Sequence, residues 1–259
     1  MSFWDRLNLK GKKAVVTGGS RGLGFAMAQA LGQAGAELVI ASRDEEKLGE
    51  AASRLRDEQI TCHTLAADLS TPQGAEVMCQ QVLQQHGVPD ILINNVGGRR
   101  IDIPTEEMPL EEWLRIIDLN LNQAFVCTKL LGGAMLPRRW GRIINVASIC
   151  AMIAVPHIKG RSYETAKAAL VMFTKATAAD WAPYGVTVNA IAPGAFLTDT
   201  NRRWFEQRPQ LQHDIEQEIP LGRMGTPEEI GPLAVLLASD AASYITGSVF
   251  VIDGGRTLA

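Results

Sequence analysis

"KAVVTGGSRGLG", residues 13–24, runs from a short apolar stretch through a glycine-rich turn into "GFAMAQALGQAGA" at 24–36. The apolar stretch is continuous and lacks polar alternation, which predicts a parallel strand covered on both faces. The segment after the turn spaces its apolar residues near 3.6, the period of a helix. Strand, tight turn and helix together make the opening half of a βαβ unit. Glycines at such a bend let the backbone turn sharply, and the helix start then presents free N–H groups to an anion.

The same pattern recurs along the chain. Further apolar runs fall at "ELVIAS" (37–42), "DILINN" (90–95), "GRIINVAS" (141–148), "VTVNAIAP" (186–193) and "SVFVID" (248–253), with a weaker one at "ITCHTLAAD" (60–68). Helix-length stretches lie between them, "EEWLRIIDLNLNQAFVCTKLL" among them. The alternation shows no repeat, low-complexity linker or composition break. It predicts one α/β domain over residues 1–259: a doubly wound parallel sheet of the Rossmann type with helices on both faces. A (β/α)8 barrel is the rival, and the placement of the glycines argues against it. One irregular region, about 195–225, is expected to form a substrate lid.

Bulk composition narrows the function. Hydrophobic residues make up 46% of the 259 and charged ones 20%, which suits a soluble protein with a substantial core. A net charge of -3 supplies no electrostatic reason to bind nucleic acid or an acidic membrane. Cys62, Cys79, Cys127 and Cys150 are scattered without metal-ligand spacing, so they read as reduced, with no metal expected. "MSFWDRLNLKGKK" has no apolar core after its basic residues, and no run is long enough to cross a bilayer. The expectation is a cytoplasmic protein.

The turn points to a dinucleotide. Gly18, Gly22 and Gly24 sit in the first βα unit, with Ser20, Arg21 and Leu23 between them. At the end of the second strand an NAD site places an acid on the ribose hydroxyl. Here the residues are Ala41, Ser42 and Arg43. A guanidinium and a hydroxyl suit a 2′-phosphate, and Arg21 is placed to approach the same group, so NADP(H) is expected over NAD. Asp44 keeps NAD open, and Ser42 or Asp44 also reads as a helix N-cap. A second pair stands out in "SYETAKAAL" (162–170). Tyr163 and Lys167 are four apart on one helix face, so both can act on one point in space.

Taken in order, these motifs resemble the short-chain dehydrogenase/reductase family from Lys12 to about Gly255. "TGGSRGLG" (17–24) is similar to the family's TGxxxGxG turn, and "NNVG" (94–97) to its NNAG motif, with Val96 where Ala is usual. Asn120, Ser148, Tyr163 and Lys167 match its catalytic tetrad, and "PGAFLT" (193–198) resembles the segment flanking the nicotinamide. The residues alone leave Asn120 and Asn122 undecided; the resemblance selects Asn120. It implies that Tyr163 is the acid in reduction and the base in oxidation. A free phenol titrates near ~10, and a neighbouring ammonium favours its ionised form. Ser148 would hydrogen-bond the substrate oxygen, Lys167 would hold the nicotinamide ribose, and Asn120 would anchor a relay water. Further cofactor contacts carried over are Asp68 and Leu69 at the adenine, Asn94 and Gly97 along the ribose, and Pro193, Gly194, Phe196 and Thr198 at the nicotinamide. Asp68 also reads as an Asx turn before "STPQG".

The substrate lies with the loops. Arg99, Arg100, His157, Lys159, Arg161, Arg202 and Arg203 lean toward a polar or anionic small molecule such as a keto sugar acid. The resemblance is strongest to gluconate 5-dehydrogenase-like enzymes and to 3-oxoacyl-carrier-protein reductases. Against the latter, Tyr184 stands where a basic carrier-docking residue is usual. A nucleotide-sensing regulator without catalysis is a third reading; such proteins typically lack the Tyr or the Lys. A homotetramer is the expected assembly.

Overall fold

The computed structural model describes residues 2–98, 103–154, 161–207 and 209–258. A short helix α1 (Phe3–Leu7) precedes seven strands: β1 (Lys13–Thr17), β2 (Glu37–Ser42), β3 (Cys62–Ala66), β4 (Ile91–Asn94), β5 (Gly141–Val146), β6 (Val186–Pro193) and β7 (Val249–Ile252). All pair in parallel in the order β3-β2-β1-β4-β5-β6-β7. The crossover helices are α2 (Gly22–Gln33), α3 (Glu45–Asp57), α4 (Pro72–His86), α8 (Ser162–Trp181) and α11 (Gly231–Ala238). The seven expected strands are therefore present, in one doubly wound sheet.

Period-two packing is hidden inside the continuous apolar runs. Val16, Ile40, Ile93 and Ile144 share a core with α2, α3 and α11. Their neighbours Val15, Val39, Leu92 and Ile143 share the other core with α4 and α8. Both faces are dry, so both sets must be apolar. β5 and β6 are buried at every position. The edge strands differ: β3 exposes His63, Thr64 and Ala66, and β7 is only partly covered. That exposure explains why "ITCHTLAAD" carried the weakest strand signal.

The long apolar stretch after β4 departs from a plain helix. It runs as α5 (Leu110–Ile117), a π-helical turn (Asp118–Asn122), α6 (Gln123–Cys127), a second π turn (Thr128–Gly132) and α7 (Gly133–Met135). Such turns widen the helix locally and are frequent at functional sites; the first contains Asn120. The expected lid holds two helices, α9 (Asp199–Gln207) and α10 (Pro209–Gln217), over a small core of Phe205, Ile219 and Met224. No helix among the described residues is long and apolar enough to cross a membrane.

Because strand order reverses between β1 and β4, the crossovers leaving those strands go to opposite faces. A crevice must open at their carboxyl ends.

Candidate active site

That crevice is a cleft of about 1140 Å³. Its first wall is the turn after β1. Gly18 has φ +66°, a conformation that a side chain would strain, and an added Cβ would lie 2.8 Å from Asn95 Nδ2. Asn95 donates to the carbonyls of Thr17 (3.0 Å) and Gly18 (3.3 Å). The Thr17 hydroxyl accepts from the backbone N–H of Asn95 (2.9 Å) and Val96 (3.2 Å). The ends of β1 and β4 are thus tied together at the floor of the cleft.

At the far end, the Ser20 hydroxyl donates to Ser42 Oγ (3.1 Å), linking the turn to the tip of β2. Arg21 and Arg43 are exposed and line the same mouth. Asp44 is occupied elsewhere. It caps α3 through the Lys47 N–H (3.1 Å) and pairs with the Lys47 ammonium. Those contacts, with smaller help from Arg21, hold its carboxyl below the usual range. Asp44, not Ser42, is therefore the N-cap, and the residues facing the cleft here are a hydroxyl and two guanidinium groups.

Ser148, Tyr163 and Lys167 line the cleft's other end. Ser148 follows β5 and is 8% exposed; it lines the cleft, and its Oγ accepts from Cys150 N–H (3.2 Å), so it also caps a turn. Tyr163 and Lys167 sit one turn apart on α8, with Nζ 5.9 Å from the tyrosine ring centre. Lys167 is buried, and its Nζ donates to the Val146 carbonyl at the end of β5 (2.8 Å). Burial pushes its pKa down from 10.5 to about 8, opposed in smaller part by Cys150.

Asn120 lies behind this wall. It is fully buried; its Oδ1 accepts from Gly98 N–H (2.8 Å), and its Nδ2 donates to the carbonyls of Gly98 (3.1 Å) and Ile116 (2.9 Å). Asn122 instead donates to Asp118 Oδ1 (2.6 Å). Gly97 lies between Asn120 and the lysine. A Cβ there would stand 2.7 Å from Asn120 Oδ1 and 2.8 Å from Lys167 Nζ, so only glycine permits this approach.

Of the cofactor residues named from the sequence, Gly18, Ser20, Arg21, Gly22, Leu23, Gly24, Ser42 and Arg43 line one half of the cleft, with Asp68 and Leu69 nearby. Gly97, Tyr163, Lys167, Pro193, Gly194 and Thr198 line the other. Asn94 and Phe196 do not line it. Asn94 turns into the core, donating to Thr128 Oγ1 (3.0 Å) and Asn145 Oδ1 (2.8 Å), and Phe196 packs in the core beside α2. Residues close to each in sequence line the cleft. Asn95 lines the cleft, and Thr198 accepts from Asn201 N–H (3.4 Å) at the start of α9. Asn201 is a cleft residue that the motifs did not signal. Asp68 accepts from Ser70 N–H (3.0 Å), the Asx turn foreseen as its other reading.

Arg99, Arg100, His157 and Lys159 lie outside the described residues, as does the side chain of Arg203. Arg161 pairs with Glu164 (3.4 Å), and Arg202 is exposed. Among the described residues no His/Cys/Asp/Glu group has a metal-binding arrangement.

A Gly-rich turn at a topological switch point, facing a Tyr/Lys pair across one cleft, defines a dinucleotide-dependent oxidoreductase architecture. A family model described as enoyl-(acyl carrier protein) reductase matches residues 18–257, and the chain belongs to the short-chain dehydrogenase/reductase family, as an enzyme acting on alcohol or carbonyl groups. It is 37% identical to 3beta-hydroxysteroid dehydrogenase 1 of Eggerthella lenta, over 97% of this chain and 95% of that one. It is 35% identical to the 3-oxoacyl-(acyl-carrier-protein) reductase of Pseudomonas aeruginosa, over 98% of this chain and all of that one. The crystal structure of a gluconate 5-dehydrogenase from Burkholderia cenocepacia J2315, in complex with NADP and tartrate, superposes with a TM-score of 0.91 at 33% identity, covering both chains fully.

Proposed function

We propose that the protein transfers a hydride between NADP(H) and the carbonyl or secondary alcohol of a polar small molecule, a keto sugar acid being the best-fitting class. The observation that carries this reading is the cleft itself, with Arg21, Ser42 and Arg43 at one end and Ser148, Tyr163 and Lys167 at the other. The residues fit the dinucleotide. The α2 N-terminus and the glycines of the turn suit a pyrophosphate, and the two guanidinium groups with Ser42 suit a 2′-phosphate. When bound, the nicotinamide supplies or accepts the hydride.

The chain's own residues handle the proton and the developing charge. Tyr163 donates its phenolic proton to the substrate oxygen in reduction and withdraws it in oxidation. The Ser148 hydroxyl hydrogen-bonds that oxygen where negative charge appears. With a pKa of about 8, Lys167 is mostly cationic at neutral pH, and its charge stabilises the phenolate as the proton leaves. Asn120 holds the 97–98 loop against this lysine and is the residue that would seat a relay water.

The relatives are named for a steroid, an acyl carrier and a sugar acid. The sugar-acid reading is supported by the gluconate 5-dehydrogenase neighbour. The acyl-carrier reading is disfavoured by Tyr184, exposed where a basic docking residue would be needed. The sensor reading is disfavoured because Tyr163 and Lys167 are both present and share the cleft. We further infer a cytoplasmic homotetramer. Four free, buried cysteines suit a reducing compartment. Phe125 and Met172, exposed on α6 and α8, and Val251 on β7 suit burial against further copies of the chain.

The test is a panel of keto-gluconates and acetoacetyl thioesters with NADPH and NADH, following reduced-nucleotide absorbance. The expected result is turnover of a keto acid with kcat/KM for NADPH at least roughly tenfold above NADH, a difference of about 1.4 kcal/mol. A clear NADH preference overturns the nucleotide assignment, and tight nucleotide binding with no turnover of any compound restores the sensor reading.

A further inference from the structure

Gln123 occupies an unusual position. It begins α6 immediately after the first π turn, three residues beyond Asn120 and therefore on the same helix face. Its side chain is fully buried. The Nε2 donates to the Val96 carbonyl (3.1 Å), whereas Oε1 is buried without a hydrogen-bond partner among the described residues. An orphaned buried acceptor is costly, and an apolar side chain of the same length would avoid it. What the amide gains in return is its hold on Val96.

Asn120 grips Gly98 through both its N–H and its carbonyl, and Gln123 grips Val96. Gly97, between these two anchored residues, rests against Lys167 Nζ. All three loop residues line the cleft. A shift of the loop toward the cleft narrows the dinucleotide's path, and a shift away removes the wall that packs Lys167. One amide fixes only one side of the Gly97 bend; two fix both.

We propose that Gln123 is a positioning residue for the dinucleotide, acting through the Val96 carbonyl to preset the 96–98 wall of the cleft. The inference rests on the dinucleotide reading of the cleft given above. It does not depend on the substrate, because the Gln123 amide acts on the Val96 carbonyl of the cofactor wall.

The experiment measures nucleotide affinity, turnover and thermal midpoint in Gln123→Met, which keeps the side-chain length and removes both the donor and the orphaned acceptor. NADPH and NADH are titrated by fluorescence into the wild type and the variant. The expected result is a Kd for the preferred nucleotide raised roughly tenfold, the loss of one buried hydrogen bond. At saturating nucleotide kcat falls by less than about threefold, because the cleft, once filled, orders the loop. The midpoint stays within about 3 °C of wild type, since the orphan's removal offsets the lost bond. A Kd unchanged within twofold overturns the proposal, and so does a midpoint that falls while Kd holds, which marks a purely structural amide. If Gln123→Met fails to fold, Gln123→Leu carries the same criteria. Wild-type protein binding neither nucleotide would instead overturn the dinucleotide reading itself.

Discussion

The two ends of β5 treat a buried cation in opposite ways. At the amino end, Arg142 is 3% exposed and has partners on each guanidinium nitrogen. Its guanidinium donates to the carbonyls of Ser239 (3.2 Å) and Gly141 (2.9 Å), pairs with Asp240 (3.2 Å), and stacks 4.4 Å from the Trp140 ring centre. At the carboxyl end, Lys167 is 2% exposed and donates to the Val146 carbonyl, and no described carboxylate pairs with it. Burial pushes both cations' pKa down; at Arg142 the Asp240 carboxylate opposes that penalty, and at Lys167 no described carboxylate does. A structural cation is surrounded by partners, whereas a functional one keeps donors in reserve for a ligand, at a cost to stability.

The largest effect that sharpens this contrast is on turnover. Tyr163→Phe removes the proton that Lys167 serves, and kcat is expected to fall by roughly 10²–10⁴-fold while nucleotide Kd and thermal midpoint stay near wild type. Steady-state kinetics beside a binding titration decide it; near-normal turnover would refute the role of the pair.

Next is the structural end. Arg142→Met leaves the carbonyls it served without their donor and is expected to lower stability by about 2–3 kcal/mol. Denaturant unfolding reads the loss, and kcat of the folded fraction should not change. If kcat fell in proportion to stability, the division of labour between the two ends would be wrong.

The smallest effect on stability has the opposite sign. Lys167→Met removes an under-compensated charge and is expected to abolish activity while raising the stability of nucleotide-free protein by about 1–2 kcal/mol near neutral pH. The pH dependence follows from a folded pKa of about 8 against an ordinary 10.5. Below about 8 the lysine is protonated in both folded and unfolded chains, so the full cost of burying it is present. Between about 8 and 10.5 the unfolded chain binds the extra proton, and stability rises with pH. The advantage of Lys167→Met should therefore shrink as melts move from pH 7 toward pH 10. A gap that stays constant would show that the lysine's charge is already balanced.

Much was legible from local pattern. The seven strands follow from continuous apolar runs, because a strand dry on both faces has no polar positions to spare. The turn at 17–24 announced itself through glycines, since Gly18 needs a positive φ. That Tyr163 and Lys167 share one helix face followed from helix periodicity, and their joint role from the family resemblance. Less was legible where adjacent residues compete. Asn94 and Asn95 look alike in "NNVG", yet β4 sends Asn94 into the network with Asn145 and leaves Asn95 at the cleft. Asn120 and Asn122 are equally polar, and only the π turn decides that the first meets Gly98 while the second stays with Asp118. Gln123 gave no signal, because its role needs a carbonyl 27 residues away.

By itself, then, the sequence determined the alternation of elements, the glycine bend after the first strand and the spacing of Tyr163 and Lys167. These are properties of neighbours along the chain, set by backbone sterics and by helix and strand periods. The tertiary structure alone decided that Asn95 and not Asn94 lines the cleft, that Asp44 is taken up by capping α3, and how little offsets the buried Lys167 charge. Those outcomes depend on burial and on partners distant in sequence, which no local period encodes.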